Sequence, residues 1–109
     1  LAKRYFDNLS GVKKITLPQN RIKESSWHLF TIRVKTRKNF MKYLDQNNIG
    51  HLIHYPIPPH LQKAYKHLGF KKGDYPVSEK IHREIISIPL RPDLKESEVD
   101  YISEKIKNY

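Results

Sequence analysis

The stretch His51-Leu-Ile-His-Tyr-Pro-Ile-Pro-Pro-His-Leu-Gln62 places three histidines, a tyrosine and three prolines within twelve residues. Alternation over residues 49–55 predicts a strand that carries His54 and Tyr55 to its carboxyl end. The prolines that follow cannot donate ladder hydrogen bonds and restrict the backbone, so the strand must give way to a stiff loop. A rigid polar loop at the end of a strand is a common position for a binding site.

Periodic segments on both sides of this loop predict a small α+β fold. Residues 26–34 alternate with bulky side chains on both faces, which is typical of a central strand, and residues 85–90 predict another short strand. Helical spacing predicts helices over residues 1–9, 36–48, 61–68 and 93–109, and a further helix beginning at Pro76. We therefore expect a small antiparallel or mixed sheet of about three strands with helices packed on one face.

The last predicted helix carries the clearest pattern. Asp93 and Glu96 have the spacing of a capping box, and apolar residues then recur at helical intervals through Val99, Ile102 and Ile106. The carboxylates along this helix fall on its polar side, where their simplest role is to interact with water.

The opening residues resemble the end of a helix whose earlier part is missing. They present an apolar face and begin with Leu1 rather than methionine, and residues 12–24 then form a basic connector without clear periodicity. We interpret residues 1–24 as a helix tail and connector from a preceding domain, and residues 25–109 as a separate domain. On this interpretation the chain is a fragment of a longer protein.

The charge balance favours anionic partners. Lysine and arginine number 21 against 11 acidic residues, a formal charge of +10, which suits nucleic acid, a membrane surface or a phosphorylated small molecule. The basic residues are dispersed, with no run longer than two, so a solvated face is favoured over a nucleic-acid patch. The chain has no cysteine and no apolar run of about 18 residues, which excludes thiol chemistry and a membrane-spanning helix.

The three histidines of the loop leave two interpretations open. His51 and His54 differ by three positions, so a strand would direct them to opposite faces, and this argues against a shared metal ion. His54 and His60 are either structural histidines or ligand contacts brought to one cavity by the kinked loop. Neither a nucleophile motif around Ser87 nor a glycine-rich phosphate loop is present, so the residues alone do not define a reaction.

A family resemblance adds a function. The chain from residue 27 onward resembles the C-terminal small domain of the DegT/DnrJ/StrS family of sugar aminotransferases, which use pyridoxal phosphate and have the aspartate-aminotransferase type of fold, fold type I. The matching features are Trp27-His28-Leu29-Phe30, Ile49-Gly50, His54-Tyr55-Pro56-x-Pro58-x-His60-Leu61-Gln62, Tyr65, Gly69, Gly73-Asp74, Pro76, Glu79 and Ser87-Ile88-Pro89.

The resemblance implies that the intact protein transfers an amino group from an amino-acid donor to a keto-sugar nucleotide. Within this chain it implies that His54, Tyr55 and His60 contact the nucleotide sugar, through its hydroxyls or its diphosphate. The structural alternative is that Tyr55 and Pro56 form a tight, cis turn. Two other functions stay open: a sugar dehydratase of the same family using pyridoxal or pyridoxamine phosphate, and a basic nucleic-acid-binding module.

The resemblance places the cofactor outside this chain. In the family a large-domain lysine forms the Schiff base with pyridoxal phosphate, so we expect no catalytic, cofactor-binding or metal-binding residue among these 109 residues. We expect the fragment to hold no cofactor and to be inactive by itself. The intact enzyme is expected to be a cytoplasmic homodimer with no membrane or nucleic-acid partner.

Overall fold

The computed structural model describes all 109 residues and shows a small α+β fold. Its two strands pair antiparallel, with Phe30 opposite Ile88 and Ile32 opposite Ile86, which confirms the predicted class. The regular elements are α1 Ala2–Leu9, β1 Phe30–Arg33, α2 Arg37–Gln46, 3₁₀ turns at Pro59–Leu61 and Lys63–Leu68, α3 Pro76–Glu84, β2 Ile85–Ile88 and α4 Glu96–Asn108.

The third predicted strand, at residues 49–55, is reduced to one bridge. Leu52 pairs with Ser87 of β2 through two backbone hydrogen bonds of 3.1 and 2.7 Å, and a similar bridge joins Thr16 to Arg33 of β1. The predicted strand 26–34 is also shorter than expected. Trp27 has a φ of 49°, in the left-handed region, which a strand cannot accommodate.

Helices cover one face of the sheet. Phe30, Ile32, Ile86 and Ile88 are all at most 2% exposed and belong to a hydrophobic core of 17 residues. The buried faces of α1, α2 and α4 supply much of the rest of that core, and Tyr5 of α1 packs on Phe30 with ring centroids 4.8 Å apart. The assignment of residues 1–24 to a preceding domain stays a prediction, although α1 packs here against α4.

The N-terminus of α4 differs in detail from its prediction. The Glu98 carboxylate, rather than Glu96, accepts the Lys95 backbone N–H at 2.8 Å, so the cap lies two residues later than the sequence spacing suggested. Asp93 instead pairs with Arg91 at 3.1 Å. The predicted buried face, Val99, Ile102 and Ile106, is confirmed. No helix in the fold has the length and apolar content that crossing a bilayer would require.

An ion pair joins α1 to α4. The Arg4 guanidinium donates to both carboxylate oxygens of Asp100 at 2.7 Å and to Glu96 at 2.6 Å, and the Asn8 amide donates to Asp100 at 2.9 Å. Hydrogen bonds from Arg4, followed by the one from Asn8, lower the pKa of Asp100 to about 2. Asp100 is therefore ionised at any pH at which the protein would normally be studied.

This shift predicts a specific acid sensitivity. Since the pKa of Asp100 is about 2 in the folded state and 3.8 ordinarily, the folded state binds fewer protons between these values. The contribution of Asp100 to stability is complete above the ordinary pKa and is lost as the pH falls towards 2. We expect Asp100→Asn to remove part of the decrease in unfolding free energy over that interval in urea titrations. Asp7→Asn, at a more exposed carboxyl of α1, serves as the control. If the unfolding free energy of Asp100→Asn fell as steeply with decreasing pH as that of the wild type, the lowered pKa of Asp100 would be contradicted.

Residues 50–85 form a segment outside the hydrophobic core. None of the 17 core residues lies in it. The predicted helix 61–68 is a 3₁₀ turn whose Tyr65 and Leu68 are about half exposed, at 46% and 54%, although the sequence indicated a buried apolar face. Eight large apolar side chains of this segment are exposed: Leu52, Tyr55, Ile57, Tyr65, Leu68, Phe70, Tyr75 and Val77.

Candidate functional site

His51 has a separate contact from the other loop histidines. Its Nε2 lies 2.9 Å from Asp45 Oδ1 at the end of α2, a carboxylate only six residues earlier in the chain. The structure contains no group of three histidine, cysteine or acidic side chains placed to hold a metal ion.

His54 is attached to the sheet. Its Nδ1 lies 2.8 Å from Ser87 Oγ, and the Ser87 side chain faces away from the core because Ile86 and Ile88 on either side of it face inward. The backbone bridge from Leu52 to Ser87 sets the start of the loop at the same position. Sequence reasoning noted Ser87, a single hydroxyl inside an apolar strand, but missed its contact with His54.

Tyr55 lies on the surface beside His54. Its side chain is 66% exposed, and the two rings meet edge to face with centroids 5.5 Å apart. The cis peptide bond joins His54 to Tyr55 rather than Tyr55 to Pro56. The phenol is accessible to a ligand and has no hydrogen-bond partner within the chain.

His60 forms a buried polar cluster with Glu79 of α3. The two side chains are each 7% exposed, and His60 Nε2 lies 3.0 Å from Glu79 Oε1. The same oxygen accepts the Gly73 backbone N–H at 2.7 Å. This N–H and then His60 lower the pKa of Glu79. Gly73 has a φ of 97°, which a residue with a side chain would rarely adopt, so glycine is suited to present its N–H here.

His60 also lines an open groove. The groove has a volume of about 320 Å³, and its other lining residues are Pro59, Tyr65, Leu68, Phe70, Tyr75 and Ser78. The Tyr75 ring meets His60 at 4.9 Å and Phe70 at 5.3 Å between centroids. His54 and Tyr55 do not line this groove, so the structure does not gather the three predicted residues around it.

A smaller basic depression lies next to the cluster. It measures about 190 Å³, and its lining includes Lys72, Arg83, Arg37 and His82 beside the carboxylate of Glu79. Arg37 donates to the backbone carbonyls of His82 and Ile85 at 2.6 and 3.0 Å. Burial, followed by the nearby charge of Arg37 and by His60, lowers the pKa of His82. Basic residues that are dispersed in the sequence are thus brought together around the proline loop.

The arrangement of this loop on a small antiparallel sheet matches a known class of proteins. Residues 1–107 match the model of the DegT/DnrJ/EryC1/StrS aminotransferase family. The chain therefore belongs to this family.

Individual relatives agree with the family assignment. Over 83 residues, 76% of this chain and 22% of the relative, the sequence is 47% identical to a dTDP-3-amino-3,6-dideoxy-alpha-D-galactopyranose transaminase of Aneurinibacillus thermoaerophilus. The structure resembles DesV of S. venezuelae, solved in complex with a ketimine intermediate, with a TM-score of 0.91, 31% identity, and coverage of 98% of this chain and 29% of DesV. It also resembles the PLP form of a putative sugar aminotransferase from Streptococcus pneumoniae, with a TM-score of 0.81, 33% identity, and coverage of 97% and 28%. The chain spans less than a third of the length of each of these proteins.

Proposed function

We propose that this chain is the C-terminal small domain of a pyridoxal-phosphate-dependent nucleotide-sugar aminotransferase. The observation that carries the proposal is the match of nearly the whole chain to DesV at a TM-score of 0.91, together with a sugar transaminase that is 47% identical over 83 residues. In this assignment residues 1–24 are the tail and connector of the large domain, and residues 25–109 are the small domain. The intact enzyme transfers an amino group from an amino acid to a keto-sugar nucleotide and acts as a homodimer.

The residues of this chain do not fit pyridoxal phosphate by themselves. A Schiff-base lysine is generally activated by burial, yet every lysine here is exposed except the half-buried Lys105. The one buried acid, Glu79, is already bonded to His60 and Gly73 and is not free for a pyridine nitrogen. The cofactor in our proposal is therefore held by residues outside this chain, and this domain supplies substrate contacts.

The proposed substrate contacts are His54, Tyr55 and His60. Tyr55 offers an accessible hydroxyl, and His60 lines a groove with aromatic walls that could receive part of the nucleotide sugar. The adjacent Lys72 and Arg83, with Arg37, outnumber the one carboxylate of the basic depression, Glu79, and leave a positive charge complementary to a diphosphate. The net charge of +10 would also attract an anionic sugar nucleotide to the protein.

A transamination assay on the full-length protein tests this function. We expect visible absorbance from bound pyridoxal phosphate that borohydride abolishes, and conversion of a dTDP-linked keto sugar to its amino sugar only when an amino-acid donor is present. The 109-residue chain by itself is the control and is expected to show neither property. A full-length protein that binds no pyridoxal phosphate, or that consumes the sugar without an amino donor, would refute the aminotransferase assignment.

A further inference from the structure

Glu79 is the one buried acid of the chain, and its contacts determine which ring nitrogen of His60 carries the proton. Its Oε1 receives the Gly73 N–H at 2.7 Å and faces His60 Nε2 at 3.0 Å. Both contacts favour the ionised carboxylate, whose pKa is lowered accordingly. An ionised carboxylate has no proton to donate and can only accept hydrogen bonds.

The proton shared by Glu79 and His60 must therefore belong to His60 Nε2. In a neutral imidazole one ring nitrogen carries the proton and the other holds a lone pair, so Nδ1 is then an acceptor. No hydrogen bond within the chain involves His60 Nδ1, although the side chain is only 7% exposed. The ring forms part of the groove wall, where a ligand could meet this nitrogen.

The groove itself is not built for an anion. Apart from His60 its lining contains no lysine, arginine, aspartate or glutamate, and its other polar groups are the hydroxyls of Tyr65, Tyr75 and Ser78. Lys72 and Arg83 line the separate depression instead. Aromatic walls with a few hydroxyls suit a neutral ring that carries hydroxyl or N–H groups, such as a sugar or a base.

We propose that Glu79 is a positioning residue that holds His60 in the Nε2–H form, so that His60 Nδ1 accepts a hydrogen bond from a hydroxyl or N–H of the nucleotide sugar. The diphosphate is then bound elsewhere. This proposal rests on the proposed function for the identity of the ligand. Its statement about the tautomer of His60 is independent of any activity.

Nuclear magnetic resonance of ¹⁵N-histidine in the full-length protein tests the tautomer directly. We expect the spectrum of the wild type to show a His60 ring with its proton on Nε2 and a lone pair on Nδ1. Glu79→Met keeps a similar volume and removes the acceptor, so we expect a mixture of the two tautomers. Glu79→Gln keeps an acceptor oxygen and should retain the wild-type form. Glu104→Met, the same change at an exposed position of α4, serves as control.

Steady-state kinetics provide the second measurement. We expect Glu79→Met to raise KM for the nucleotide sugar by about two- to tenfold, which corresponds to the loss of one uncharged hydrogen bond, with little change in kcat. We expect the KM of Glu79→Gln to be close to that of the wild type. Inorganic pyrophosphate is expected to leave the His60 resonances unchanged.

Three outcomes would overturn the proposal: a wild-type His60 that carries a proton on Nδ1, an unchanged tautomer and KM in Glu79→Met, or saturable binding of pyrophosphate at His60. If Glu79→Met does not fold, the wild-type tautomer alone decides. A protein that shows the expected tautomer but no transamination would refute the proposed function and leave the role of Glu79 intact.

Discussion

Replacing Phe30 with alanine is expected to lower the free energy of unfolding by about 3–5 kcal/mol, the usual cost of removing a buried aromatic ring. Phe30 is fully buried in β1, and three rings surround it at centroid distances of 4.8 Å for Tyr5, 5.2 Å for Phe6 and 5.6 Å for Trp27. These rings come from α1 and from the segment before β1, so the cavity would open where helix and sheet meet.

The size of this effect can be judged against the stability of a typical domain. At roughly 0.05–0.15 kcal/mol per residue, a domain of this size has a total stability comparable with a few such losses. Urea unfolding measures the change, and Val77→Ala is the control because that apolar side chain is 71% exposed. We expect the control to stay within about 0.5 kcal/mol of wild type. A loss below about 1 kcal/mol for Phe30→Ala would show that the aromatic cluster is not the centre of the core.

Combined replacement of His54 and His60 by alanine is expected to give the largest loss of substrate affinity available in this chain. If each imidazole makes one hydrogen bond to the nucleotide sugar, each single variant raises KM by about two- to tenfold, and the double variant by about the product of the two factors. The two histidines hydrogen-bond to different partners, Ser87 and Glu79, so their effects on the protein are expected to be largely independent.

The measurement must separate effects on substrate binding from effects on folding, because both imidazoles also make hydrogen bonds within the chain. We would determine KM, kcat and unfolding free energy for each variant of the full-length enzyme. His67→Ala is a suitable control, since that histidine is exposed and makes no side-chain hydrogen bond. Unchanged KM and kcat in the double variant would reject direct contact and leave both histidines with structural roles only.

Periodicity was enough to predict the elements that contribute to the core. The helices predicted from spacing as α2 and α4 do bury one face, which includes Phe40 and Leu44 in α2 and the predicted Val99, Ile102 and Ile106 in α4. Each of these helices buries one face in the core, so the spacing of its apolar residues indicates which side chains are buried. The preference of proline for the first turn of a helix correctly placed Pro76 at the start of α3.

The same patterns were misleading where burial depends on distant partners. Leu61, Ala64, Tyr65 and Leu68 have helical spacing, yet the segment forms 3₁₀ turns with Tyr65 and Leu68 exposed, because no element of the chain packs over it. Residues 49–55 alternate like a strand, but their pairing with β2 is limited to Leu52 and the prolines prevent its extension.

The sequence predicted which loop residues form the candidate site but not which side chains they contact. The unusual loop and its histidines were evident from the sequence, and the family resemblance gave them a function. The partners Ser87 and Glu79 lie 33 and 19 residues further along the chain, and only the folded structure shows that they meet His54 and His60. A contact between residues so far apart in the chain produces no periodic pattern in a single sequence.

The separation of residues 50–85 from the hydrophobic core has a consequence for how such proteins diversify. Since this segment carries the candidate contacts and none of the 17 core residues, many of its surface side chains can be exchanged with little cost in folding. Surface residues of this segment can then change while the sheet and its covering helices keep the same packing. The layout thus separates a segment that tolerates substitution from the sheet and helices that the core constrains.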